Sequence, residues 1–351
     1  MRVVWALVAV LMLVGALPAA AVPAPAPETV CRVGDSRVGE LSGLVSDGDR
    51  WYAINDGGTK VQVFVLDRTC RVRQVLSAPT DPYDVEDLAR AADGTLWLSD
   101  TGDNRHQRGT VALLEMKPGS GSAVVHRLTY PDGAHDSEAL LLDRSGTPYL
   151  VTKDVLGDAK VYRPTGALAS PGPTPLEQVG TLRVHSTDTP GGPVGSFGSV
   201  LVTGGATSAD GTVLALRTYT DVYLYPAPDG DVPAALRREP VRVALPNEKQ
   251  GEAIAFEPDG TLLSAGEGTG QPVRAIRNAT ALVTSPTGPA TADTTSSGTS
   301  STTPDAAEAP AATEESGSGV PVLPAAGIAA TLVLGAWLLL NRTRRRGSRR
   351  R

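Results

Sequence analysis

Cysteine and histidine are both scarce in this sequence. It has only Cys31 and Cys70, and its four histidines show no metal-ligand spacing. Two cysteines on their own cannot form a tetrahedral metal site. Both lie in a part of the chain that we expect to be exported, so we predict that they form one disulfide.

The motifs of nucleophilic and nucleotide chemistry are also missing. There is no G-x-S-x-G elbow, no glycine-rich phosphate loop with its Lys-Ser/Thr, and no haem or flavin motif. The run His135-Asp136-Ser137-Glu138 holds the residue types of a catalytic triad. Adjacent residues of a strand point to opposite faces, however, so this run cannot form a triad locally.

Basic stripes are absent from the central region, and this argues against a nucleic acid partner. The formal net charge is −6. Removing Arg2 and the seven arginines near the C-terminus, and then the five acids of residues 282–319, leaves −9 for the part expected to fold. Nucleic acid binding requires a positive surface, so we predict no nucleic acid partner.

The N-terminus is typical of a secretory signal peptide. Residues 1–21 contain Arg2, an apolar run and small residues that end in Ala19-Ala20-Ala21, an A-x-A-type cleavage site. A retained N-terminal anchor is the alternative. Residues 22–28 are predicted to be an extended spacer.

The C-terminus is typical of a surface anchor. Residues 282–319 are almost wholly Ser, Thr, Ala, Pro, Gly and acid, a composition that predicts a disordered stalk. Residues 320–340 are apolar enough for one transmembrane helix, and the arginine-rich residues 341–351 are predicted to be cytoplasmic. We therefore expect a single-pass cell-membrane protein with its folded part outside. The run Leu323-Pro324-Ala325-Ala326-Gly327 resembles a degenerate sortase signal, which leaves cell-wall attachment as an alternative.

A repeated frame organises the region between these tails. Each copy opens an alternating apolar strand, reaches a turn glycine eight residues later and continues into a second strand. The spacings between successive opening residues are 46, 52, 65 and 49. The opening residues are Glu40, Glu86, Glu138, Thr203 and Glu252, and the turn glycines are Gly48, Gly94, Gly146, Gly211 and Gly260.

Four-stranded units that repeat at this spacing predict an all-β β-propeller over residues 29–281. Five blades are favoured and six are the alternative; a β-sandwich does not explain the fixed frame. The long interval after the third unit contains SPGPTP and STDTPGGPVGSFGS, which predict an extended loop. The fifth unit lacks its outermost strand. We expect the strand TVCRVGD near the N-terminus to supply it and to close the ring.

The frame Glu-x6-Asp-Gly-x-Leu, followed by a loop such as DTGDNRHQR, resembles exported bacterial propellers. It is similar to the NHL, SMP-30-like (gluconolactonase) and esterase-like-phytase families over about residues 29–281. The resemblance implies a propeller and does not by itself imply one activity.

Two sets of polar residues are candidate site residues. Propeller strands begin near the central channel, so the opening glutamates should converge there and either bond to backbone amides or hold a cation. Oxygen ligands without His or Cys suit Ca²⁺ or another hard divalent cation. The metal candidates are Glu40, Glu86, Glu138 and Glu252.

The ends of the second strands supply the other set, which differs from unit to unit. Positions that diverge between repeats are candidates for ligand contact, although the cations among them could simply balance the charge of the channel. The densest oxygen cluster joins DPYDVED with DTGDN and lacks EF-hand spacing. The ligand candidates are Asn55, Asp56, Asp100, Asp103, Asn104, Lys153, Arg217 and Glu267.

These observations lead to a cell-surface propeller that binds an unknown extracellular ligand or protein. The alternative is a metal-dependent hydrolase, of lactonase or phosphoester type, that uses a cation in the channel. A second alternative is a structural scaffold of the cell envelope.

Overall fold

A computed structural model describes residues 25–284, which form a five-bladed β-propeller. Each blade has four antiparallel strands, and each inner strand lies beside the inner strands of two neighbouring blades. The predicted all-β propeller and the favoured number of five blades are both confirmed.

The strands follow one another around the ring, one blade after the next. In chain order they are β1 (Glu28–Arg32), β2 (Leu41–Ser46), β3 (Trp51–Asn55), β4 (Val61–Leu66), β5 (Val72–Ala78), β6 (Val85–Arg90), β7 (Leu96–Asp100), β8 (Val111–Met116), β9 (Val124–Thr129), β10 (Ser137–Leu142), β11 (Pro148–Thr152), β12 (Asp158–Pro164), β13 (Thr174–Arg183), β14 (Val202–Thr207), β15 (Val213–Thr218), β16 (Asp221–Pro226), β17 (Val241–Ala244), β18 (Gly251–Phe256), β19 (Leu262–Gly266) and β20 (Pro272–Ile276). Blades 1 to 4 take four consecutive strands each, starting at β2. The first strand of each blade is its inner strand, so the five inner strands are β2, β6, β10, β14 and β18.

Blade 5 consists of β18, β19 and β20 together with β1, which pairs antiparallel with β20. The strand from the N-terminus therefore closes the ring, as predicted. Cys31 in β1 and Cys70 in the turn before β5 form a disulfide, with their Cα atoms 5.8 Å apart. This confirms the predicted disulfide and ties blade 5 to blade 1.

Packing between blades forms the core. Alternating side chains of a strand point to the two faces of its sheet, and in a propeller both faces lie against a neighbouring blade. Five clusters of buried apolar side chains fill the five interfaces between blades. One fully buried member of each is Trp51, Leu98, Leu113, Leu216 and Leu224.

The segment that was predicted to be an extended loop is partly ordered. Its first part enters β13, where Thr174 and Pro175 pair in parallel with the end of β9 and so join the outer edges of blades 2 and 3. Its second part contains a 3₁₀ helix, Gly195–Val200. The remaining helices are short: α1 (Val232–Leu236), capped by the Asp231 carboxylate, and α2 (Ala281–Thr284).

Several predicted segments lie outside the described residues. These are the signal peptide, most of the stalk, the transmembrane helix, the sortase-like run and the basic tail, so membrane attachment and surface localisation stay predictions. Among residues 25–284, no helix is both long and apolar enough to cross a bilayer.

Candidate functional site

All five inner strands have a β-bulge at the same place. In each one the register with the second strand shifts around the second residue, which is the extra residue of the bulge. Each blade has four antiparallel strands, so every inner strand starts at the same end of the ring. The five bulged residues therefore surround one end of the channel. They are Ser42, Glu86, Glu138, Thr203 and Glu252.

Glu40 is not the blade 1 equivalent of the other predicted glutamates. The bulge of β2 falls at Ser42, whose hydroxyl donates to the carbonyl oxygen of Glu86. The repeated frame placed the opening residue eight positions before the turn glycine. Gly48 follows the bulge of its strand by six residues, however, whereas Gly94 follows its bulge by eight. Glu40 therefore precedes the strand and is exposed. The other three predicted metal candidates are buried: Glu86, Glu138 and Glu252.

The position directly after each second strand supplies another set of side chains at this end. It is occupied by Asp56, Thr101, Lys153, Tyr219 and Glu267. Three of these were predicted site residues, and the other two, Thr101 and Tyr219, were missed. The hairpin of blade 4 is one residue longer than those of blades 3 and 5, which moves Tyr219 to 16 residues after Thr203 instead of 15.

Arg217 is not part of this end of the channel. It lies inside β15, opposite Gly204, and is fully buried between blades 4 and 5. Its guanidinium donates to the carbonyl oxygens of Thr218, Tyr219, Ala253 and Ala265 and to the carboxylate of Glu248. The structure therefore places this predicted ligand residue in the interface between blades.

Two further carboxylates join the bulged glutamates. Asp84 and Asp136 each lie two residues before a bulged glutamate, and both are buried. Oxygen atoms of Asp56, Asp84 and Glu86 lie within 4.8 Å of one another, and so do oxygen atoms of Glu86, Asp136 and Glu138. Glu86 belongs to both groups. The repeated Asp-x-Glu pattern in DVED and DSEA was the sequence signal for these two aspartates.

The remaining predicted residues support the loops around this end. Asp100 accepts hydrogen bonds from the backbone amides of Tyr83 and Asp84, at 3.1 and 2.9 Å. The backbone amide of Asp103 donates to Asp136 at 2.7 Å. These two aspartates therefore position the carboxylates named above.

Asn55 and Asn104 contribute less to this end. The Asn55 amide group donates to the carbonyl oxygen of Arg37 at 2.6 Å, so it holds the loop before β2. Asn104 lies half-buried in the turn after Asp103.

We call this end of the channel the acidic mouth, and it holds seven carboxyl groups and one ammonium group. Burial and the charges of its neighbours raise the pKa of Glu86 well above its usual range. Burial also raises the pKa of Asp136 and of Glu138. Burial and the adjacent Glu252 raise the pKa of Glu267 to about 11. The members of the acidic mouth are Asp56, Asp84, Glu86, Asp136, Glu138, Lys153, Glu252 and Glu267.

Lys153 is the ammonium group of the mouth. It donates to Glu138 at 2.5 Å and to the Tyr219 hydroxyl at 2.9 Å, and it lies 5.2 Å from the centre of the Tyr219 ring. Burial alone would lower the pKa of Lys153, but the attraction of Glu138 and the other acids raises it well above its usual value. One ammonium cannot balance seven carboxyl groups.

Asp87 closes the channel beyond the acidic mouth. Its carboxylate accepts hydrogen bonds from the backbone amides of Leu88, Leu140 and Gly205, which belong to the inner strands of three blades. The opposite end of the channel opens into a separate cavity of about 700 Å³, formed by the ends of the inner strands and the turns that follow them. The acidic mouth is therefore a closed recess.

The mouth fits a hard divalent cation. Such ions prefer carboxylate oxygens, and two overlapping groups of them are present. Glu86, which both groups share, is only 4 % exposed. Among residues 25–284, the oxygen Oε2 of Glu252 is buried without a hydrogen-bond partner. Buried acceptors without donors are costly, and a cation would satisfy them.

Gly102 leaves the space that these carboxylates occupy. A Cβ atom at this position would overlap Oε1 of Glu86 and lie 2.7 Å from Oδ2 of Asp84. We therefore expect Gly102→Ala to destabilise the protein by about 1–3 kcal/mol, the usual cost of overpacking. Gly109→Ala is the matched control, because open space surrounds Gly109. Urea unfolding checks both variants, and equal stabilities would contradict the packing described here.

Comparisons with known proteins give matches of fold only. Neither a scan against protein families nor a search of curated proteins finds a match. Among solved structures, a gluconolactonase from Xanthomonas campestris is 13% identical, with a TM-score of 0.39, and covers 74% of this chain and 98% of its own. A streptogramin B lyase is 11% identical, with a TM-score of 0.39, and covers 70% of this chain and 96% of its own.

A third similar structure is the Cps50 (Swd1) β-propeller domain from Myceliophteria thermophila. It is 13% identical, with a TM-score of 0.37, and covers 71% of this chain and 99% of its own. A gluconolactonase, a lyase and a β-propeller domain are thus among the similar structures. At these identities the likeness is one of propeller architecture, and the functional argument depends on the residues of the acidic mouth.

Proposed function

We propose that this protein is a metal-dependent hydrolase that cleaves a neutral ester or lactone at the acidic mouth. The observation that carries the proposal is the pair of carboxylate groups that share Glu86, buried in a closed recess. This is the hydrolase alternative of the sequence analysis. The binding module and the envelope scaffold become outcomes of the test below.

The cation would be held by Glu86 with the carboxylates on either side of it. Asp56 and Asp84 form one group with Glu86, and Asp136 and Glu138 form the other. Lys153 already compensates part of the charge of Glu138. When bound, a divalent cation supplies a Lewis acid that polarises a carbonyl oxygen and lowers the pKa of a water molecule.

The residues around the cation suit the proton transfers of ester hydrolysis. The oxygen Oε2 of Glu252 has no hydrogen-bond partner in the described chain and is available to accept a proton from the attacking water. Burial and the adjacent Glu252 raise the pKa of Glu267, which favours the protonated form of this carboxyl group. Glu267 can then donate its proton to the oxygen that leaves when the ester bond breaks, while the water oxygen bonds to the carbonyl carbon.

The charge of the mouth favours a neutral substrate over a phosphoester. Crowding and burial already raise the pKa values of several carboxyl groups here, so each further negative charge at this site is costly. A phosphoester would bring further negative charge into this recess. An ester or lactone carbonyl carries no net charge and develops negative charge only in the transition state, where Lys153 and the cation would stabilise it.

Hydrolysis assays with and without a chelator test this function. The full chain would be supplied with Ca²⁺, Mn²⁺ or Zn²⁺ and screened against neutral lactones and carboxylic esters, with matched phosphoesters for comparison. We expect cleavage of neutral substrates that a chelator abolishes and the added cation restores. A chain that binds a cation but cleaves none of these substrates would contradict the hydrolase and support the recognition module. A chain that neither binds a cation nor cleaves a substrate would support the structural scaffold.

A further inference from the structure

Exposed apolar side chains are concentrated at the acidic mouth. Among residues 25–284, the two most exposed large apolar side chains are Leu156, at 71%, and Tyr83, at 67%. Val155, next to Leu156, is 44% exposed. Tyr83 directly precedes Asp84, and Val155 and Leu156 follow Lys153 within three residues. All three side chains therefore lie in loops that also carry a side chain of the mouth.

Tyr83 is held in place although it is exposed. Its backbone amide donates to Asp100, and its ring packs against the guanidinium of Arg108, 4.6 Å from the ring centre. Arg108 in turn forms a 3.1 Å ion pair with Asp100. A cation–π contact and a buried ion pair thus fix an aromatic ring that solvent would otherwise leave mobile.

Leu156 is also held in an outward position. Asp154 accepts hydrogen bonds from the backbone amides of Leu156 and Asp158, at 2.7 and 3.2 Å, which defines the turn. Gly157 has a φ of +80° and packs so tightly against the carbonyl oxygen of Val184 that no side chain fits there. The turn therefore cannot rotate to bury Leu156 without breaking these contacts.

The other side of the mouth is polar. The loop that follows Asn55 in blade 1 contains Gly57, Gly58 and Lys60, and the loop that follows Glu267 in blade 5 contains Gly268 and Thr269. The three strongly exposed apolar side chains named above belong to loops of blades 2 and 3. A substrate would meet an apolar surface on one side and a polar surface on the other.

We propose that Tyr83, Val155 and Leu156 form an apolar rim that binds an alkyl or acyl chain of the substrate. This inference depends on the proposed function for the position of the reacting group. Two rigid loops expose apolar side chains at the edge of the recess. When the alkyl chain of a substrate packs against these side chains, the surface of the alkyl chain and the surface of the rim are both removed from water. The substrate is then a lactone or ester with an alkyl substituent, as opposed to a fully hydroxylated one.

Binding of ketones tests the rim without any need for hydrolysis. 2-Butylcyclopentanone and 2-octylcyclopentanone present a ring carbonyl and have no ester bond. A fully buried methylene strengthens binding about fourfold, and half-burial on an open rim about twofold. The octyl chain has four more methylenes, so we expect the octyl ketone to bind the cation-loaded full chain about 16-fold more tightly than the butyl ketone. Titration calorimetry in nanodiscs keeps free detergent away from the rim.

Variants assign this preference to the rim. Leu156→Ser and Tyr83→Ser should each bring the ratio of the two affinities close to one. Val124→Ser is the matched control, because Val124 is 43% exposed on β9, the outermost strand of blade 2, and its ratio should stay about 16-fold. Equal binding of both ketones to the unmodified protein, or a ratio that Leu156→Ser leaves unchanged, would overturn the inference.

The same experiment separates this inference from the hydrolase. Preferential binding of the octyl ketone without cleavage of any lactone would support the rim and contradict the hydrolase. Cleavage of lactones at rates that do not depend on the length of the alkyl chain would support the hydrolase and contradict the rim. If neither ketone binds and Leu156→Ser instead weakens attachment to phosphatidylglycerol vesicles, the rim contacts a lipid surface and the inference is overturned.

Discussion

Glu86→Gln is expected to abolish high-affinity binding of a divalent cation, and with it hydrolysis, while the protein stays folded. Glu86 is the only residue that belongs to both carboxylate groups of the described chain, so its loss disrupts either arrangement. Replacing a residue that only orients a metal ligand lowers the affinity for the metal 10- to 100-fold. Replacing a direct ligand such as Glu86 should therefore lower it at least about a hundredfold.

Thermal unfolding separates this loss from misfolding. At a cation concentration about a hundred times the Kd, the unmodified protein should gain about 3 kcal/mol of stability, and Glu86→Gln should gain almost none. Burial raises the pKa of Glu86 when no cation is bound, so a neutral glutamine fits the same site and should not lower the stability of the cation-free protein.

Glu177→Gln is the matched control for this experiment. Glu177 lies on β13, is exposed and pairs with Arg163 at 2.8 Å. It should keep the affinity, the stabilisation and the activity of the unmodified protein. If Glu86→Gln binds the cation as tightly as this control does, the acidic mouth is not the metal site.

Arg217→Met is expected to destabilise the fold by about 4 kcal/mol, because it removes the nearer of the two cationic partners of the buried Glu248 carboxylate and leaves only Arg274, at 3.9 Å. Arg217 and Glu248 lie 2.8 Å apart and are both buried. The guanidinium also satisfies four backbone carbonyl oxygens of blades 4 and 5. Methionine has a similar length but donates no hydrogen bond.

Urea unfolding of a double-mutant cycle measures this contribution. Because a neutral residue at position 248 removes the poorly compensated buried charge, Arg217→Met with Glu248→Gln should lose less stability than the sum of the single variants. The exposed pair of Arg163 and Glu177 is the control, and Arg163→Met should cost less than about 1 kcal/mol. A loss of that small size in Arg217→Met would contradict the interblade role and leave Arg217 as a ligand candidate.

The propeller could be predicted because its repeat is dictated by the fold. Each blade needs a hairpin of two apolar strands with a tight turn, and the turn glycines Gly94, Gly146 and Gly260 adopt positive φ values that other residues rarely accept. The missing strand of blade 5 left an edge without hydrogen bonds, and the spare strand at the N-terminus was the segment able to cover it.

The positions at the acidic mouth were harder to predict, because turn lengths differ between blades. A change of one or two residues in a hairpin turn moves the counting frame but leaves the bulge in place. Counting from Gly48 selected Glu40, whereas the bulge lies at Ser42. In blade 4, Arg217 was chosen as the charged residue near the end of the second strand, whereas the position directly after that strand is Tyr219. The residue spacing in the sequence depends on the length of the turn, whereas the position of the site residues depends on the bulge.

Other members of the site could not be assigned from the sequence because their roles depend on contacts between loops. Asp100 and Asp103 were predicted to contact a ligand, and the structure shows that they bond to the loops that carry Asp84 and Asp136. Whether they also contact a ligand stays a prediction. Gly102 showed no sequence signal, since only the positions of two carboxylates explain why a side chain is excluded there.

Anomalous X-ray diffraction from crystals soaked in Mn²⁺ tests the central claim most directly, because it locates the cation without assuming an activity. The account predicts one strong peak in the acidic mouth, about 2.2 Å from a carboxylate oxygen of Glu86 and bound also by Asp84 or Glu138. A mouth without a peak at saturating Mn²⁺, with Glu86 still buried, would show that these carboxyl groups only hold the blades together and would contradict the metal-dependent hydrolase.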